Sequence, residues 1–169
     1  EANNLEEKTI KLDLAPDGGL STYSQPTISP DGNWIAYSSA ESGVTQLYIR
    51  PYPKIETGKW QIRFGNALSP IWSPTSQEIF FWSGSAQYST PYQLGPNNEN
   101  GRPNFIDLGI PKKMFSVAGL QNGLTLPAWD YDASSDRFLM LETSTRSTLQ
   151  ESKVESETTT QHLYVIENW

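Results

Sequence analysis

Along this chain, apolar residues alternate with polar ones in short runs that glycine, proline and aspartate interrupt. "TISPDGNWIAYSSAESGVTQLYIRPYP" (27–53) holds a short apolar arm, a Pro-Asp-Gly turn, an alternating arm, a polar turn and a third arm. Alternation with period two marks a strand with two distinguishable faces, and the punctuation predicts antiparallel hairpins. The second arm carries Ile35 and Tyr37 on one face and Trp34 and Ala36 on the other. Both faces are apolar, as expected where a sheet is covered by a sheet on each side. "QLYIRPYP" (46–53) is the third arm and ends in prolines, which cannot donate to a ladder. "KWQIRF" (Lys59–Phe64) is the fourth, with Trp60, Ile62 and Phe64 alternating against Gln61 and Arg63. "TIKLDL" (Thr9–Leu14) predicts one more half-buried strand near the start. No segment keeps a helical period.

The unit recurs. "PTISPDGNWIAYSS" from Pro26, "PIWSPTSQEIFFWS" from Pro70 and "YDASSDRFLMLE" from Tyr131 superpose. Ser29-Pro30 falls on Ser73-Pro74, and Ile35 and Tyr37 fall on Ile79 and Phe81, then on Phe138 and Met140. Ser134 aligns with Ser73, leaving the third turn two residues short. The first interval, 44 residues from Ser29 to Ser73, sits near the period of about 40–45 residues of four-stranded propeller blades. The longer second interval calls for an insertion, which "STPYQLGPNNENGRPN" (89–104) supplies. The second unit then takes "NFIDLG" (104–109) as its third strand and "KKMFSV" (112–117) as its fourth. The last has strands at "LPAWDYDA" (126–133), "DRFLMLE" (136–142) and "HLYVIENW" (162–169). Between the last two, residues 143–161 are rich in Ser, Thr and Glu and read as a long flexible hairpin loop.

These motifs carry a resemblance. "SPDGNWIAYSSAESGVTQLYIRPYP" resembles the PD40-type, WD40-like repeat of TolB-like β-propellers. The order "GKWQIRF", "PIWSP", "MFSV", "DASSDRFLML", "LYVIENW" is similar to the last blades of bacterial propellers attached to membrane-anchored serine/threonine kinases and winged-helix regulators. The similarity spans 23–169, although "SPTS" lacks the Asp-Gly and "SSD" lacks the Gly. The expectation is an all-β propeller of four-stranded antiparallel blades, about three of them present, forming the C-terminal part of a six-bladed ring. Residues 1–22 end a preceding blade, 23–66 form a blade, 67–118 a blade with the insertion, and 119–169 the final blade. Remaining blades of a parent chain, or a second copy, would close the ring. The resemblance implies a protein-interaction or sensing role outside the cytoplasm, with periplasmic the favoured compartment.

Composition narrows the function classes. The 169 residues include six Trp and eight Tyr, twelve Gly and twelve Pro, which suits many short strands. The net charge of −7 offers no basic stripe for nucleic acid. Absence of cysteine removes disulfides, thiolate metal sites and thiol nucleophiles. No run approaches the roughly 20 apolar residues that span a bilayer, so direct membrane insertion is not expected, and "EANNLEEKTI" does not read as a signal peptide.

Each candidate for chemistry in the chain has a plainer reading. His162 is the only histidine, and no Gly-x-Ser-x-Gly elbow or kinase motif accompanies it, so it reads as an exposed residue at a strand start. Asp130, Asp132, Ser134 and Asp136 space like a calcium loop, but its sixth and twelfth places hold Ser135 and Leu141 instead of Gly and Glu. They read as turn caps. "SPDGNW" has the wrong spacing for a sialidase-type Asp box; Pro30, Asp31 and Gly32 form a structural turn. Glu41, Glu78 and Glu142 could pair for glycoside hydrolysis, and Trp34, Trp60, Trp72, Trp82 and Trp129 could stack on sugars, but core packing suits the tryptophans better. The insertion, with Tyr92 and Arg102, is the candidate binding loop. The expectation is a non-catalytic module for a protein or peptide partner, without cofactor or metal. Two alternatives are the gating propeller of a prolyl-oligopeptidase-like peptidase and a glycan-binding or glycosidase propeller.

Overall fold

The computed structural model describes residues 23–116, 129–148 and 156–167. The strand expected at Thr9–Leu14 lies outside them. The described chain is all-β: three antiparallel sheets and one short 3-10 turn, Ile55–Thr57.

The first sheet is a four-stranded meander of β1 (Tyr23–Ile28), β2 (Trp34–Ser39), β3 (Gln46–Pro51) and β4 (Trp60–Ile62). The second contains β5 (Ala67–Trp72), β6 (Glu78–Ser83), β7 (Ala86–Leu94), β8 (Ile106–Leu108) and β9 (Lys112–Ser116). The third contains β10 (Trp129–Asp132), β11 (Arg137–Thr148) and β12 (Ser156–Ile166).

Three expectations are corrected. First, the third strand of the second sheet is β7, not 104–109. It starts immediately after the turn at Gly84 and takes up the first residues assigned to the insertion. Its far edge is shared: Ala86–Ser89 pair with β9, and Tyr92–Leu94 with β8. Between β8 and β9 the chain breaks at Gly109-Ile110-Pro111. There Gly109 donates to Pro91 O at 2.8 Å and accepts from Thr90 Oγ1 at 2.8 Å. Second, the tract 143–161 is not a loop throughout. β11 and β12 pair continuously from Phe138↔Ile166 to Thr148↔Ser156. Threonine and serine satisfy a two-stranded ribbon as readily as a loop, because the ladder uses only backbone groups. Third, no residues are missing from the third turn. Asp132↔Arg137 occupies the place of Ser29–Trp34 and Ser73–Glu78, so Asp132, not Ser134, stands at Ser73.

The faces of the sheets explain the packing. On β6, Ile79 and Phe81 point into one core and Phe80 and Trp82 into another. The first core lies between sheets one and two and gathers Trp34, Ala36, Leu47, Ile49 and Ile62 against Trp72, Ile79 and Phe81. The second gathers Phe80 and Trp82 against Trp129, Phe138 and Met140. Equivalent positions keep the same sense. Ile79 and Phe81 face the sheet before them, and so do Phe138 and Met140. Gln87 is also buried, opposite Trp82 and Phe115, and among the described residues its carboxamide has no hydrogen-bond partner.

Backbone geometry repeats along with the faces. β1 and β5 both slip register just before their prolines, with Gln25 at φ 56° and Ser69 at φ 52°. Left-handed backbone is unusual for non-glycine residues, and here each slip is tied to the other. Gln25 Oε1 accepts from both Ser69 N and Ser69 Oγ at 2.8 Å. Two residues on, Thr27 O accepts from Trp72 Nε1 at 3.3 Å. The first strands of the two sheets, β1 and β5, therefore run side by side in the same direction.

Candidate functional site

In a meander, the first-to-second and third-to-fourth connections emerge at the same end. Because neighbouring sheets share a direction, the turns 29–33, 52–59, 73–77 and 133–136 gather there with the excursion 95–105. A cleft of about 670 Å³ opens among them, between the first two sheets.

One wall comes from the first sheet. Ser29 N donates to Trp34 O at 2.9 Å and closes the turn, while Gly32 N donates to Ser29 O at 2.9 Å. Gly32 has φ 70°, a left-handed value that suits glycine. Asp31 accepts from the Ser29 hydroxyl, from Asn33 N at 3.1 Å and from Asn33 Nδ2 at 3.1 Å. Pro30, Asp31 and Gly32 thus set the position of Asn33, whose carbonyl accepts from Tyr52 N at 2.7 Å. Pro51, Tyr52, Pro53 and Lys54 follow, with a cis bond between Tyr52 and Pro53. Beneath them the Arg50 guanidinium donates to Tyr37 Oη at 2.9 Å and to Ile55 O at 3.0 Å, so the 3-10 turn is held from inside.

The other wall is the excursion from the second sheet. Gly95 N donates to Phe105 O, and Asn104 N to Pro96 O, which closes its stem. At the tip, Asn98 Oδ1 accepts from Asn100 N at 2.9 Å and from Arg102 N at 3.2 Å. Gly101, at φ 73°, donates its N–H to Asn98 O. Arg102 Nη1 then crosses to Tyr52 O at 3.0 Å and joins walls that are 50 residues apart in sequence. Among the described residues the ion pairs are Lys59–Glu41 and Arg137–Glu167, so neither Lys54 nor Arg102 has an anionic partner there. The cleft therefore combines two cations without an anionic partner, four asparagine side chains and rigid proline surface. Carboxamides both donate and accept, and prolines offer apolar surface without N–H groups.

The sequence-based candidates separate in space. Arg102 lines this cleft, but Tyr92 does not. It is buried in the first core, edge-on to Trp72 at 5.3 Å. Burial, with the Asp31 charge beside it, holds the Tyr92 hydroxyl above the ordinary tyrosine range. Trp34, Trp72, Trp82 and Trp129 are buried as well, and Trp60 packs edge-on to Trp34 at 5.3 Å. Their faces belong to the cores.

The aspartate run is a hydrogen-bonded turn. Asp132 accepts from Ser134 N at 2.9 Å, from Ser134 Oγ at 2.6 Å and from the Ser135 hydroxyl. These donors, the Ser134 hydroxyl first, lower its carboxyl to about 2. Asp136 accepts from Tyr131 Oη at 2.6 Å, and Asp130 from Tyr131 N at 2.8 Å. Burial first, then the Asp136 contact, raises the Tyr131 hydroxyl. Glu41 is engaged by Lys59 in the second-to-third connection, and Glu78 accepts from Ser76 Oγ at the opposite end. The two are not brought together. Glu142 and His162 are register partners on β11 and β12.

The wall residues Asn33, Tyr52, Lys54 and Asn98 were not foreseen. The signal available for the last three was a proline-rich loop, "PYPK", and a loop dense in Asn and Pro, "PNNENGRPN", both at the ends of third strands; Asn33 carried none. Compared with known proteins, the chain matches no family model and no curated protein.

Proposed function

We propose that the chain is a non-catalytic β-propeller module that binds a protein or peptide partner through the cleft between its first two sheets. On this reading the three sheets are TolB-like blades, part of a larger ring completed by a parent chain or a second copy. The parent would be a bacterial membrane-anchored serine/threonine kinase or regulator, with the module outside the cytoplasm. The observation that carries the reading is the cleft: a preorganised polar trough held open by Arg102 on Tyr52, with Lys54 and asparagine side chains left to meet a ligand. Recurrence of the faces and of the inner-strand slips supports the blade assignment.

A photo-crosslinking residue placed at Asn100 or Thr57, and at Ser42 on the opposite end as control, tests it. Crosslinks to one partner from the cleft positions and not from Ser42 are expected. An equal yield at both ends, or none from the cleft, would reject the assignment.

A further inference from the structure

The hydrogen bonds already made along the cleft decide what it has left to offer. Asn33 gives one side-chain amide hydrogen to Asp31 and keeps its side-chain oxygen for the cleft. Asn98 does the reverse: its oxygen holds the tip of the excursion, and its NH2 remains. The first wall thus supplies an acceptor and the second a donor, with both functions available on Asn100 and Asn104. An extended main chain presents N–H and C=O groups that match such a pair.

Charge sets the rest of the specificity. Lys54 is exposed and Arg102 spends one N–H on Tyr52 O, so between them they can neutralise a carboxylate. A polyanion is disfavoured, because the whole chain carries −7 and two cations cannot offset that repulsion. We infer that the cleft takes an extended peptide segment with one acidic side chain flanked by neutral residues, the carboxylate meeting Lys54 and Arg102 and the main chain meeting the asparagines. This rests on the peptide-binding reading above. An internal side chain fits better than a chain terminus, because both walls offer partners to a main chain.

The test uses the chain with pools of acetylated, amidated hexapeptides randomised over neutral residues. One pool fixes Glu at the centre, one fixes Gln, and a third is neutral with a free C-terminus. Amide shifts are followed by nitrogen–proton correlation spectra. The Glu pool is expected to shift residues 54–57 and 98–104 at concentrations at least tenfold below those the Gln pool needs. Raising the salt, or Lys54→Met, should erase that difference. Arg102→Met should erase it too, and Lys54→Met serves if loss of the Tyr52 bridge loosens the excursion. Equal responses to Glu and Gln overturn the acidic preference while leaving a peptide cleft. A response to the free C-terminus alone overturns the internal segment. Silence at these residues with every pool overturns the cleft reading itself.

Discussion

Truncating Phe80 to alanine separates the two cores of the middle sheet. Phe80 is 1% exposed, and its ring sits 4.8 Å from Tyr131 and 5.1 Å from Phe138, centroid to centroid. A buried Phe→Ala change costs about 3–5 kcal/mol, transfer and cavity together. Phe80 packs in the core shared with the third sheet, so the loss should fall on the β10–β11 hairpin. At roughly 1.4 kcal/mol per tenfold, amide protection in Trp129–Asp132 and Arg137–Leu141 should drop by about 10²- to 4 × 10³-fold. Amides of β2, on the far side of the first core, should change less than about tenfold if sheets in a stacked array open one at a time. Native-state hydrogen exchange reads both. Phe81→Ala is the mirror experiment, since Phe81 is fully buried in the first core. Uniform loss across all three sheets from either variant, or loss on the wrong side, would refute the assignment of faces.

Other consequences can be checked singly. Gln25→Ala leaves the Ser69 amide and hydroxyl without their acceptor, and should cost about 1–3 kcal/mol in a denaturant titration. Gln87→Met exchanges a buried carboxamide for an apolar side chain of similar length, and should raise the urea midpoint by the equivalent of about 1–3 kcal/mol; a lower midpoint would mean that the carboxamide is satisfied. Gly32→Ala meets no atom within 4 Å of its new Cβ, so only the left-handed backbone resists it, at about 1–2 kcal/mol. Asp132 has a depressed carboxyl, so its contribution to stability is present above its unfolded value near 3.8 and is lost as pH falls through about 2. Asp132→Asn should flatten the acid limb of the melting curve in that window.

Period-two alternation revealed β2 and β6 because each of their residues meets one of two distinct apolar faces. It under-read β1, legible only as a short apolar arm before the Pro-Asp-Gly turn but running Tyr23–Ile28, because the slip around Gln25 breaks the alternation that would have extended it. β7 was concealed by its composition. "AQYSTPYQL" looks like turn chemistry, yet Gln87 and Thr90 are fully buried by neighbours that only the folded sheet supplies. Shared serines misled the third alignment, since Asp132 does with a carboxylate what Ser29 and Ser73 do with a hydroxyl. For the cleft, Arg102 was legible as a cation in an insertion. Its partner Tyr52 was not, because a contact spanning 50 residues leaves no local pattern.

The excursion 95–105 bears on how such a molecule can change. It leaves β7 and returns as β8 on the same edge, and β9 resumes the pairing along Ala86–Ser89. Its stem closes on its own hydrogen bonds, so the cores register only where it departs and rejoins. If the trough binds a peptide as proposed, lengthening, shortening or exchanging that appendage would rewrite its specificity and leave the sheets as they are.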